Sequence, residues 1–231
     1  MKMKLAAVLT ALALAACSQH VYSPPTQAYA LAPVRTLAPG SQALDLEASS
    51  HTQIFDPGVG AASARVRAGI SDDLELSGES MVARVANVDF YTARVAMRVN
   101  PHEGAVSFTT GVGGGFAPKG GSFVAFDAGI SVGFDNCYLV PVATASAYVS
   151  QPIVARPIDV SKDPMSPTFS TAHRTVGSVV RVGLRLSLSP ERCHAGKEVP
   201  WITAGFDQTT MVDATDNAEL LGVGLGFTIP L

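Results

Sequence analysis

The chain has 231 residues, 47% of them hydrophobic and only 15% charged, with 16 Lys and Arg against 19 Asp and Glu for a formal net charge of −3. That acidic balance excludes the basic footprint that nucleic-acid binding needs. Beyond the N-terminus no stretch approaches 18 consecutive apolar residues, so any crossing of a bilayer would be made by strands.

Residues 1–16 read as an export signal: Lys2 and Lys4 form a positive start and Leu5 to Leu14 an apolar run too short to span a membrane. The run ends in Leu14-Ala15-Ala16-Cys17, which resembles the bacterial lipobox. The resemblance implies cleavage before Cys17, a diacylglycerol thioether on its thiol and acylation (palmitate or similar) of its amine. Several acyl chains together anchor a protein stably. Ser18, where Asp would signal inner-membrane retention, implies the outer membrane. The alternative is a plain signal peptide with an incidental cysteine. Removing residues 1–16 takes Lys2 and Lys4 away, leaving 14 basic against 19 acidic residues, net −5. The lysines that remain are Lys119, Lys162 and Lys197, few for a water-washed surface.

Residues 17–41 are rich in Pro, Ala and Ser without a helical or strand period and read as a lipidated, extended tether. From residue 42 to 231 the pattern is period-two alternation, the mark of strands with two unlike faces. The last segment sets Leu221, Val223, Leu225, Phe227, Ile229 and Leu231 on one face, and Gly222, Gly224, Gly226 and Thr228 on the other. Turn signals divide the region into ten candidate strands near 42–54, 60–70, 73–84, 89–99, 103–115, 121–134, 137–150, 175–188, 198–211 and 217–230. The first alternates least well, which leaves eight strands as an alternative. Short turns at 71–73, 100–102 and 135–136, with a medium one at 190–197, alternate with looser links at 55–59, 85–88, 116–120, 151–174 and 212–216, the rhythm of an outer-membrane barrel. The glycines of 111–115 lack a phosphate-loop pattern and suit a bent barrel strand.

Gly69-Ile70-Ser71-Asp72-Asp73-Leu74-Glu75-Leu76 resembles the periplasmic turn of bacterial outer-membrane β-barrels, and the alternating C-terminal strand is similar to their terminal strand, although it ends in Pro230-Leu231 and not in an aromatic residue. The resemblance implies an all-β fold, an antiparallel up-and-down barrel embedded in the membrane, with outer-membrane lipid around it and the barrel-assembly machinery as a partner in biogenesis.

The polar faces carry six basic residues, Arg65, Arg67, Arg94, Arg98, Arg181 and Arg185, and six acidic ones, Asp45, Glu47, Glu75, Glu79, Asp127 and Asp207. Such a balance suits a narrow lumen cross-linked by ion pairs, since unpaired buried charges are costly. The alternative is a soluble lipid-anchored periplasmic barrel with these charges outside, favoured by an aromatic content of only 7%.

Of the other cysteines, Cys137 follows a short turn and Cys193 leaves the next strand, at one rim of an oxidising compartment, so a disulfide is expected. In the chain-entropy model such a bridge contributes about 4 kcal/mol. No metal set or cofactor motif stands out. Asp213 to Asn217 lacks the rest of a calcium loop. The longest loop, 151–174, offers Arg156, Asp159, His173 and Arg174 as candidates for an extracellular partner. His51, Asp56, Asp89, His173 and Asp213 are expected on that same rim, where some ten-stranded barrels are proteases, but no local motif marks catalysis and no enzyme activity is expected. The leading expectation is an occluded outer-membrane barrel with a structural or surface-interaction role, and its rivals are a small channel or transport component and the soluble binding barrel.

Overall fold

The structure is a computed structural model that describes residues 31, 33–53, 56–85, 88–101, 105–134, 136–159, 169–194, 198–214 and 217–231. The signal segment and Cys17 lie outside the described residues. Ten strands close into one antiparallel barrel: β1 (Gln42–Gln53), β2 (Asp56–Ser71), β3 (Leu74–Val85), β4 (Val88–Val99), β5 (Val106–Ala117), β6 (Gly121–Gly133), β7 (Leu139–Ala155), β10 (Thr175–Ser187), β11 (Trp201–Val212) and β12 (Asn217–Pro230). Each pairs with its neighbour in sequence, and β1 closes the ring against β12 with Leu46 opposite Phe227. All ten expected barrel strands are therefore present, β1 included.

Two small elements were not expected. Inside the long link, β8 (Ile158–Asp159) pairs with β9 (Phe169–Ser170) as a separate two-stranded sheet. Between β10 and β11 a short helix, α1 (Pro190–His194), carries Cys193, whose disulfide to Cys137 joins it to the turn before β7 with the Cα atoms 5.5 Å apart.

The loop rhythm differs from the expected one. At the end of the barrel away from the termini, hereafter the far end, the connections at 54–55, 86–87 and 118–120 are as short as those at the near end, and only 156–174 is long. Asp56-Pro57-Gly58 reads as a loop by local turn chemistry, yet it belongs to β2, because β1 pairs that far, Gln53 with Asp56 across an irregular register, while β3 joins only from Val59.

Closure fixes what each face meets. Along β4 buried and exposed residues alternate almost without a break, and β10 and β11 follow the same pattern. The outer wall carries the large apolar side chains: Val180, Val182, Leu184 and Leu186 on β10 and Leu221, Val223 and Leu225 on β12 are all about half exposed or more. From Leu221 to Leu231 a tilted strand covers about 25 Å of barrel height, the thickness of a membrane-facing apolar band. Tyr91 stacks on Phe116 with centroids 5.3 Å apart near the far rim, and Phe134 and Tyr138 project near the opposite rim. Trp201 points inward and belongs to no outer girdle.

The interior is layered. At the far end Met81, Phe90 and Phe123 form one apolar cluster and Tyr148, Val179, Met211 and Leu220 another. Charges occupy the middle. At the near end the segment read as a tether turns into the barrel: Leu31 and Val34 pack with Val140, Val142, Val199 and Trp201. Leu31 reaches Gly183 and Gly205, where a Cβ on either glycine would collide with it. Its backbone is tied in as well, with Asn100 Nδ2 donating to Val34 O at 2.8 Å, Leu37 N donating to Glu75 at 3.1 Å and Gly40 N donating to Gly69 O at 2.9 Å. An extended Pro-rich chain docks here because the lumen offers it both an apolar socket and hydrogen-bond partners, neither of which can be read from its own composition.

Candidate functional site: the charged lumen

All twelve charged residues singled out on the polar faces are buried inside the barrel, each 8% exposed or less, and they are all the buried Asp, Glu and Arg among the described residues. Inward-facing positions recur every second residue, so Asp45 and Glu47 on β1, Arg65 and Arg67 on β2 and Glu75 and Glu79 on β3 stack into adjoining columns.

The near-end layer is built around two carboxylates. Asp45 accepts from Arg65 Nε at 2.8 Å, from Arg67 Nε at 2.7 Å and from the Thr228 hydroxyl at 2.7 Å, so it ties β1 to both β2 and β12 across the closure of the ring. Glu75 accepts from Arg67 Nη1 at 3.0 Å and Arg98 Nη1 at 2.8 Å, and also from the Leu37 amide. Arg185 lies with its guanidinium 4.8 Å from the centre of the Trp201 ring, a cation–π contact.

The middle layer is held by Arg94, whose Nε and Nη2 grip Asp127 at 2.7 and 2.5 Å in a two-pronged pair while Nη1 reaches Glu79 at 3.4 Å. Gly113 pairs with Arg94 across the β4–β5 ladder, and a Cβ on Gly111, two residues along the same face, would come within 2.5 Å of Arg94 Nε. The glycines of 111–115 thus make room for a large lumen side chain. Glu47 and Arg181 face the same small gap in this layer. His51, expected on the far-end rim, lies near that end of β1 but inside the lumen, fully buried, and bonds through Nε2 to Asp207 at 2.9 Å. Alternation carried the signal for this, since His51 shares the inward face of β1 with Asp45 and Glu47.

The loop candidates do not converge. Arg156, His173 and Arg174 are exposed, and the Arg156 amide donates to Gly120 O at 3.0 Å, continuing the β6–β7 pairing. The backbone of Asp159 pairs with Phe169, and its side chain lies outside what is described, as does that of Asp56. Asp89 makes an exposed pair with Arg84 at 2.7 Å. Among the described residues no group of three or more His, Cys, Asp or Glu is arranged to hold a metal.

Chemically, the lumen is a network of charge-assisted bonds with apolar clusters at its far end and beside the docked segment at its near end. Besides a cavity at the near end, a gap of about 10 Å³ lies beside Leu31, Glu47 and Arg181, room for a single water. Such an interior cross-braces the strands.

No protein-family model matches the sequence, and no curated protein matches it. Among solved structures the chain is similar to the N-terminal β-barrel domain of Pseudomonas aeruginosa OprF, at 13% identity over 81% of this chain and 97% of that one with a TM-score of 0.35. It is similar to Neisserial surface protein A at 12% identity, 82% and 95% coverage and a TM-score of 0.36. With the β-domain of the Bordetella autotransporter BrkA it shares 12% identity, 82% and 98% coverage and a TM-score of 0.44. What this barrel does is decided by its own wall and lumen.

Proposed function

We propose that the protein is an outer-membrane lipoprotein whose barrel is embedded in the bilayer, occluded, and structural or surface-interacting in role, with no catalysis of its own. One observation carries this reading: the charges face inward and the large apolar side chains face outward, the reverse of a barrel made for water. A soluble monomer rarely exposes apolar patches of more than a few hundred Å², whereas here apolar side chains ring the wall. With an even number of strands β1 begins and β12 ends at the same end of the barrel, and a lipid on Cys17 suits a reading in which that end is periplasmic. The link 156–174 then lies outside the cell and offers Arg156, His173 and Arg174 to a partner. Outer-membrane lipid and, during biogenesis, the barrel-assembly machinery are the partners this reading requires.

The test is Cys17→Ser behind a cleavable signal sequence. Retention of the unlipidated protein in the outer-membrane fraction through carbonate extraction, with a folded form that shifts on heating in gel electrophoresis, is the expected result. Release as a soluble protein would leave lipid as the sole anchor and overturn the embedded barrel.

A further inference from the structure

We propose that the near end of the lumen binds an oxyanion, a phosphate or carboxylate group carried on a small solute, with Arg185 as its principal ligand. The near-end layer contains four buried guanidinium groups, Arg65, Arg67, Arg98 and Arg185, against two carboxylates, Asp45 and Glu75. Three of the arginines use up both carboxylates. Asp45 Oδ2 accepts from Arg65 and Arg67 and its Oδ1 from Thr228 and Arg67, while Glu75 Oε1 accepts from Arg98 and Oε2 from Arg67 and the Leu37 amide. Nothing is left for Arg185.

Arg185 is only 5% exposed, and its Nε is buried with no hydrogen-bond partner among the described residues. Its close described neighbour is the face of Trp201, which stabilises a cation but accepts no conventional hydrogen bond from it. A buried guanidinium without a counter-ion is unfavourable, and its planar fork is shaped to grip an oxyanion through two parallel bonds. The space for one exists. A cavity of about 250 Å³ is lined by Arg185, Arg67, Trp201 and Thr228 from the wall and by Val34 and Thr36 from the docked segment. Arg35, Asp72 and Glu198 also line it, all three exposed, so water screens their charges more than that of Arg185. The two acids favour a small anion over a polyanion. The site faces the end of the barrel where β1 begins and β12 ends, so a solute enters it without crossing the charged middle layer. This inference does not depend on whether the wall meets lipid.

The experiment is isothermal titration of the refolded mature protein with inorganic phosphate and, separately, acetate, at constant ionic strength made up with chloride. Saturable one-to-one binding of at least one anion is expected, weakened tenfold or more in Arg185→Gln and unchanged in Arg84→Gln at the far rim. Absence of saturable binding of both anions to the unmodified protein would overturn the proposal, as would equal binding by Arg185→Gln. If Arg185→Gln does not fold by the gel-shift criterion, Arg185→Met, apolar and of similar length, takes its place under the same two outcomes.

Discussion

Replacing Asp45 by Asn removes one charge and almost no volume, and its effect can be worked from the bonds it makes. The carboxylate accepts from Arg65 and Arg67 and from Thr228, bonds that join three strands across the closing seam of the barrel. Asparagine keeps one carbonyl acceptor and turns the other oxygen into a donor facing the two guanidinium groups, which are 6% and 1% exposed. Removing one partner of a buried ion pair costs about 3–5 kcal/mol because the other charge stays buried and uncompensated. At about 1.4 kcal/mol per factor of ten, the folding equilibrium constant should fall by two to four orders of magnitude. The assay is reversible urea unfolding in lipid vesicles followed by tryptophan fluorescence, which Trp201 alone reports. Arg67→Met should cost a comparable amount, and the double variant should cost clearly less than the two single changes added together. A loss below about 1 kcal/mol for Asp45→Asn would refute the reasoning, because surface pairs already account for that much.

Four further outcomes follow from the same geometry. Val182→Arg places a charge on the outer wall near mid-height, where it should destabilise the barrel in vesicles by about 2–4 kcal/mol if lipid surrounds it; a neutral effect in the same urea titration would count against embedding. Gly222→Val drives a side chain into His51 and Asp207, and overpacking of this kind should cost about 1–3 kcal/mol, read from the same unfolding midpoint. Cys137→Ser with Cys193→Ser opens a link with a sequence separation of 56 and should lose up to about 4 kcal/mol, and a double variant as stable as the parent would show the bridge to be dispensable. In planar bilayers the mature protein should pass no measurable single-channel current, and neither should a form lacking residues 17–38, since the charged middle layer and the apolar far end still fill the lumen. Steady conductance of that shortened form would instead make the docked segment a gate.

The strands were legible because alternation records the two environments of a barrel wall residue by residue. The inward face was legible from the same cause: Arg94 and Arg98, like Arg181 and Arg185, sit four positions apart on one strand, and such spacing puts them on one side whatever the register. His51 lies toward the expected end, and its burial follows from the alternation it shares with Asp45 and Glu47 and not from its position in the chain. The short far-end hairpins were missed because turn residues such as Asp56-Pro57-Gly58 describe local preference, while strand length depends on whether neighbours extend far enough to pair.

The sequence by itself determined the ten-strand alternation, the inventory of twelve inward charges and the cysteine pair, since each depends on spacing along a single strand or on residue type. Only the tertiary structure decided which charges bond, that Asp45 and Glu75 are saturated while Arg185 is not, and that Leu31 and Val34 enter the lumen. Those outcomes depend on register between strands distant in the chain and on the shape of the space they enclose, and neither quantity exists until the ring has closed.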